Sequence, residues 1–131
     1  MPKTKTTVTF YREDDGKVPV LDWLRKLQNE NRKAYAYCVA RIRLLAEMGH
    51  GLRRPHADSL RDGIHELRSR IGRVNYRVLY FFHGRNVVVL VHGMTKEDRI
   101  PDADIARAIE RKKRYELNPD AHRYLGDIDH G

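Results

Sequence analysis

Arginine is the residue with the most chemical capacity in this sequence. Arg53, Arg54, Arg61, Arg68, Arg70, Arg73 and Arg77 fall in one stretch whose only acids are Asp58, Asp62 and Glu66. A guanidinium grips a phosphate or carboxylate through two parallel N–H bonds and stays charged at any working pH. The chemistry on offer is anion recognition and charge stabilisation, and for the same reason arginine is a poor general base. Arg77 interrupts the apolar run Tyr76-Arg77-Val78-Leu79-Tyr80-Phe81-Phe82, and an arginine in such a strand requires an anionic partner. That partner is either a phosphate or a carboxylate such as Asp98. Arg68 lies on the polar side of an alternating segment, where it serves an anion or pairs with Glu66. Arg53, Arg54, Arg70 and Arg73, with Tyr76 or Tyr80 to stack bases, are candidate nucleic-acid contacts; a solvated basic surface is the alternative. Lys112, in the run Arg111-Lys112-Lys113-Arg114, either adds to that surface or complements the dipole of its own helix.

Seven histidines and one cysteine complete the reactive inventory. His92 ends an apolar run beside a charged segment, and its imidazole titrates near neutrality, so it is a candidate acid or base as well as a candidate strand-end histidine. His65 alternates with Leu67 toward an apolar face and reads as a core-edge residue, while His50 and His56 sit in a loop. The histidines show no HExxH or comparable ligand spacing, so neither a metal nor a cofactor is expected. Cys38 is alone, which excludes an internal disulfide and a thiolate zinc site; its apolar helical position predicts burial.

These groups must be positioned by one domain. The chain has 131 residues and a net charge of +8, which predicts a polyanionic partner. No 18-residue apolar run and no apolar leader in Met1 to Thr9 are present, so neither a membrane span nor secretion is expected, and a cytoplasmic location is. Thr6 to Tyr11 is rich in β-branched and aromatic residues and predicts a strand. Pro19 opens a helix with Val20, Trp23, Leu24 and Leu27 on one face. Asn31 is placed to cap a second helix carrying Tyr35, Cys38, Val39, Ile42 and Leu45, which Gly49 and Gly51 end. Leu52 to Asp62 reads as an irregular loop. Ile64 to Ile71 alternates, Gly72 turns the chain, Val74 to His83 is a strong strand, and Val87 to His92 is a strand buried on both faces. Gly93 to Ile100 reads as a polar loop. Pro101 then starts a last helix with Asp102 and Asp104 in its first turn, ended by Asn118-Pro119. The expected fold is α+β: an antiparallel meander plus an N-terminal strand, flanked by a helical hairpin and a C-terminal helix, with the helices covering one side. Residues 1–118 form the single domain and residues 119–131 a polar tail.

The runs Gly63-Ile64-His65-Glu66-Leu67-Arg68, Tyr76-Arg77-Val78-Leu79-Tyr80 and His92-Gly93-Met94-Thr95-Lys96-Glu97-Asp98 together resemble the RelE superfamily of type II toxins. The resemblance is closest to its HigB-like branch of phage-derived proteins. Val20-Leu21-Asp22-Trp23-Leu24 and Pro101 with Ile105-Ala106-Arg107-Ala108 extend it over nearly the whole chain. Each motif is short; their order and spacing carry the likeness. The resemblance implies a small sheet flanked by helices that enters the ribosomal A site and cuts messenger RNA without a metal. It also implies a cognate antitoxin protein, of the helix-turn-helix kind, that neutralises it. The 2′-hydroxyl would attack the adjacent phosphate, leaving a cyclic phosphate and a 5′-hydroxyl.

Such a cleavage builds charge on a phosphorane, so positive donors must be aimed at its oxygens. The resemblance singles out Lys96, placed just past the last strand, to join Arg68 and Arg77 at one end of the sheet, with His92 nearby. Beside two arginines the Lys96 ammonium would lose its proton more readily, because like charges disfavour the protonated form. RelE carries a tyrosine after the basic loop that acts as acid or base, whereas Lys96-Glu97-Asp98-Arg99-Ile100-Pro101 holds none. The likeness therefore supplies a phosphate clamp without naming the proton-transfer group. Two rival readings are a non-catalytic RNA- or protein-binding module derived from such a toxin, and a metal-dependent nuclease.

Overall fold

The computed structural model describes residues 6–96, 99–124 and 126. In chain order the elements are β1 (Thr7–Tyr11), α1 (Pro19–Glu30), α2 (Arg32–Met48), a 3₁₀ turn (Gly49–Gly51), β2 (Ala57–Ser59), β3 (His65–Ile71), β4 (Val74–His83), β5 (Val87–Lys96), α3 (Asp102–Leu117) and β6 (Arg123–Tyr124). The strands form one sheet in the order β2-β3-β4-β5-β1-β6. β1 runs parallel to β5, and the other pairs are antiparallel. This is the expected α+β architecture.

Local chemistry sets the helix ends. Pro19 occupies the first helical turn of α1, where a missing N–H costs nothing. Asn31 separates α1 from α2, and its Oδ1 accepts from the Ala34 N–H at 3.1 Å. Gly49 closes α2 at φ +51°, a conformation a side chain disfavours.

The helices cover both sides of the sheet, not one. Strand alternation divides the core accordingly. Phe10, Leu67, Tyr76, Val78, Tyr80, Val88 and Leu90 pack with α1 and α2, where Cys38 is buried. Ile64, Leu79, Phe81, Val89, Val91 and Met94 pack with Ile105, Ala108 and Tyr115 of α3. Two large apolar stripes, one per face, account for this: a sheet apolar on both faces needs a layer against each.

Other boundaries also shift. The expected irregular loop contains β2, which pairs Ala57 with Leu67, Asp58 with Glu66 and Ser59 with His65. β5 does not end at His92 but continues to Lys96 opposite Asn75, so part of the expected polar loop is strand. Beyond α3, Arg123 and Tyr124 pair with Tyr11 and Phe10, while most of the following tail lies outside the described residues.

One irregularity in β5 decides the site. Tyr80 pairs with Leu90 but Leu79 with His92, so Val91 is an extra residue with no partner on β4. An unbroken alternation from Val88 and Leu90 would send residues 92, 94 and 96 to the α1–α2 face. The bulge reverses the parity, since each one-residue slip exchanges the two faces. Gly93 consequently lies against α1, where an added Cβ would stand 2.5 Å from the Trp23 ring. His92 and Met94 face the α3 side.

Candidate functional site

The α3-side face carries three rows of residues across β3, β4 and β5. Glu66, Leu79 and His92 form one row, Arg68, Arg77 and Met94 the next, and Arg70, Asn75 and Lys96 the last. Lys96 thus ends β5 in register with Arg70; its side chain lies outside the described residues.

Arg68 and Arg77 stand directly opposite each other, an arrangement that like charges disfavour. Glu66, two residues before Arg68 on the same face, compensates. Its Oε1 accepts from Arg68 Nε at 2.8 Å and also from Nη2, and its Oε2 lies 3.7 Å from Arg77 Nε. The side chains of Glu66 and Arg77 are 5% and 7% exposed and that of Arg68 36%, so Arg68 is the member that meets solvent. Burial lowers the pKa of the Arg77 guanidinium; Glu66 raises it and Arg68 adds to the lowering. The trio keeps a net charge of +1, because two guanidiniums share one carboxylate. The carboxylate expected for Arg77, Asp98, lies outside the described residues; among those described, Glu66 stands beside it.

His92 sits deeper. Its Nε2 is 2.6 Å from Asp104 Oδ1, and Arg111 Nη1 lies 3.3 Å from its Nδ1. Arginine can only donate, which assigns the imidazole proton to Nε2 and makes Asp104 its acceptor. Burial depresses the His92 pKa most; Asp104 opposes that, and Arg111 and Arg107 add to it. Arg111 also donates to the Val91 carbonyl at 2.7 Å, holding the bulge that sets the parity of the site. Both imidazole nitrogens are therefore engaged, and an acid–base role requires His92 to release one of them.

The remaining candidates divide. Arg70 is exposed at the end of the same face, its Nε donating to the Gly72 carbonyl at 3.0 Å, and exposed Arg73 follows in the turn. Arg53 and Arg54 lie elsewhere, at the β2 edge; Arg54 Nε donates to Asp58 at 2.9 Å. This hydrogen bond is the main reason the Asp58 pKa is lowered, and Arg68 contributes. Lys112 pairs with Glu116 at 3.8 Å and approaches Gly63, near the end of β3 remote from Arg70. The structure thus gathers Arg68, Arg70, Arg77 and the Lys96 position, and separates Arg53, Arg54 and Lys112 from them. Sequence reasoning placed Glu66 only as an alternative partner of Arg68, gave Asp104 only a dipole role, and gave Arg111 an RNA-contact or dipole role. The i, i+2 spacing of Glu66 and Arg68 on one strand face was the available signal for the first.

Among the described residues, no group of three or more His, Cys, Asp or Glu side chains is placed to hold a metal ion. No helix among them is long and apolar enough to cross a membrane.

A mostly antiparallel sheet between a helical hairpin and a third helix, with arginines on one exposed end, defines a small α+β protein of RelE-like build. The chain belongs to the family described as Phage derived protein Gp49-like (DUF891), whose model matches residues 22–113. This is a toxin-like family of the RelE/HigB type, associated with the toxins of toxin–antitoxin systems. A comparison with curated proteins finds no match.

Proposed function

We propose that the protein is the toxin of a type II toxin–antitoxin pair, of the HigB-like branch, and acts as a ribosome-dependent endoribonuclease on messenger RNA in the A site. The observation that supports this best is the opposed pair Arg68 and Arg77, oriented by Glu66, one row from Lys96. In this reading Arg68 holds the scissile phosphate and Arg77 supplies charge from beneath. Lys96 neutralises the developing phosphorane. The 2′-oxygen bonds to phosphorus as the bond to the 5′-oxygen breaks; the 2′-hydroxyl proton leaves to a base and the 5′-oxygen gains one. His92 enters as the nearest imidazole in register, able to move a proton only after exchanging Asp104 or Arg111. Arg70 and Arg73 extend the RNA track along the same sheet end. No metal or cofactor has a step in it, and a cytoplasmic setting with a helix-turn-helix antitoxin belongs to the same proposal.

A second reading, a non-catalytic RNA- or protein-binding module, has one observation in its favour: Glu66 already engages both arginines. Induced expression in a bacterial host followed by primer extension on cellular messages separates the two. New 5′ ends within codons, lost in Arg77→Ala and Lys96→Ala and unaffected by a chelator during lysis, support the nuclease. Absence of new ends with RNA binding intact supports the module, and full toxicity of both variants would overturn the site.

A further inference from the structure

A cavity lies on the other face of the sheet, at the β2 edge, with a volume of about 420 Å³. His65, Tyr80 and Phe82 form its floor, and the 3₁₀ turn and the segment after it form its wall. By strand parity these residues point away from Arg68 and Arg77. Its lining is unusual for a solvated edge because the rings are ordered against one another. His50 lies flat on Phe82, with centroids 3.6 Å apart and planes 18° from parallel. His65 lies nearly flat on Tyr80 at 5.3 Å and meets Phe82 edge-on. His50 is an exposed residue even though its ring stacks on Phe82. Arg53 and Arg54 stand at the rim, and Asp58 engages Arg54, which leaves Arg53 to receive an anion.

We propose that this cavity is a nucleotide subsite: a base of single-stranded RNA extends the Phe82–His50 stack, and its phosphate meets Arg53. Aromatic π-faces accept any base, and an arginine beside them selects the phosphate that a base carries. Asp58 and Ser59 at the rim supply acceptors for the exocyclic amine of a base. The alternative occupant, an apolar side chain of a protein partner, has no use for an arginine rim. The subsite lies across the sheet from the arginine pair, so it would hold RNA or ribosomal RNA without taking part in cleavage. It does not depend on the nuclease reading.

The test uses the intact protein at pH 7.5 with 5′-AMP, adenosine and inorganic phosphate as probes, and reads the ring protons of His50 and His65 by NMR. AMP is expected to move the His50 protons upfield and to saturate, adenosine to do so more weakly, and phosphate to leave them in place. His50→Ala, at an exposed position, should weaken AMP at least about fivefold, as for a lost base-stacking contact. Arg53→Gln should weaken AMP but not adenosine, and Arg68→Ala should change neither. Unmoved His50 protons, an equal response to phosphate alone, or a response abolished by Arg68→Ala would each overturn the subsite. Binding of AMP elsewhere leaves the His50 signals still, so failure here is distinct from failure of the nuclease proposal, which rests on cleavage of messages.

Discussion

The two halves of the α3-side face are built from the same strands and have opposite character. In one half Ile64, Phe81, Val89 and Val91 lie beneath Ala108 and Tyr115 of α3 and are almost wholly buried. In the other, Arg68, Arg70, Arg77 and Asn75 continue the same strands past the row that Asp104, in the first turn of α3, contacts. β4 changes from Phe81 and Leu79 to Arg77 and Asn75 within a few residues, without leaving its face. The border is the row of Glu66, Leu79 and His92, where Asp104 in the first turn of α3 meets the imidazole. The lesson is that the third layer, not the strand, decides which half is core and which is site. Where the helix is present, burial stabilises apolar side chains; where it is absent, the sheet can hold guanidiniums with one edge in water. Arg77, Asn75 and Met94 are nearly covered in this half as well, and Arg77 alone of these three is charged, with Glu66 to offset its desolvation.

The largest effect should come from the covered half. Phe81 is fully buried, and Phe81→Ala is expected to cost roughly 3–5 kcal/mol of stability through lost transfer energy and a cavity. Urea denaturation measures it, and cleavage per folded molecule should not change. The charged half should respond in the reverse way. Arg77→Met keeps an unbranched chain and removes the charge. Glu66 retains Arg68, so the stability loss should stay well below the roughly 3–5 kcal/mol of an orphaned buried charge. Cleavage should nevertheless fall by a factor of about 10²–10³, the usual consequence of removing one transition-state donor. A variant that unfolds but cleaves normally when folded would erase the contrast between the halves.

A smaller effect is expected at the exposed margin. Arg70 bonds only the Gly72 carbonyl among the described residues, so Arg70→Gln should shift stability by less than about 0.5 kcal/mol. Its loss should instead weaken RNA binding evenly across sequences and lower the salt dependence by about one counterion. A change confined to particular codons would show that Arg70 reads bases, and the track would need redrawing.

How much of this contrast could be read from the sequence depended on periodicity. The alternation from Ile64 to Ile71 put Glu66, Arg68 and Arg70 on one face correctly, and the apolar run around Arg77 marked it as a charge in need of a partner. The asparagine cap and the proline start were equally legible, because each acts through its own few atoms. The bulge at Val91 was not. Val87 to Val91 is apolar at every position, so nothing in its pattern tells which residue is the extra one. Gly93 and Thr95 look like loop residues, yet the missing Cβ at Gly93 is what admits Trp23. The two-sided core followed from the same blindness: a continuous apolar strand reveals burial on both faces but not what covers each. The hold of Arg111 on the bulge escaped notice because it reaches from α3 to the Val91 carbonyl, a contact twenty residues away in sequence.

The border row should titrate, with the smallest effect of the four. Burial holds the folded-state pKa of His92 below its ordinary 6.5, against the pull of Asp104. Well above 6.5 the imidazole is neutral in both folded and unfolded chains and contributes no pH dependence. As the pH falls through 6.5 the unfolded chain takes the proton first, so folding stability declines, until the folded value is reached and the penalty stops growing. Protonation would add a cation beside Arg111 and Arg107 while leaving Asp104 in place, loosening the contact that pins α3 to the bulge. His65 on the opposite face is depressed in the same direction, by burial and by His50, and gives a second loss over the same window. Urea denaturation between pH 7.5 and 5.5 should therefore show a shallower decline in His92→Gln than in the wild type, with a further reduction on adding His65→Gln. If His92→Gln leaves the slope unchanged, the imidazole is not the hinge between the covered and the charged half, and Arg111 must hold the bulge alone.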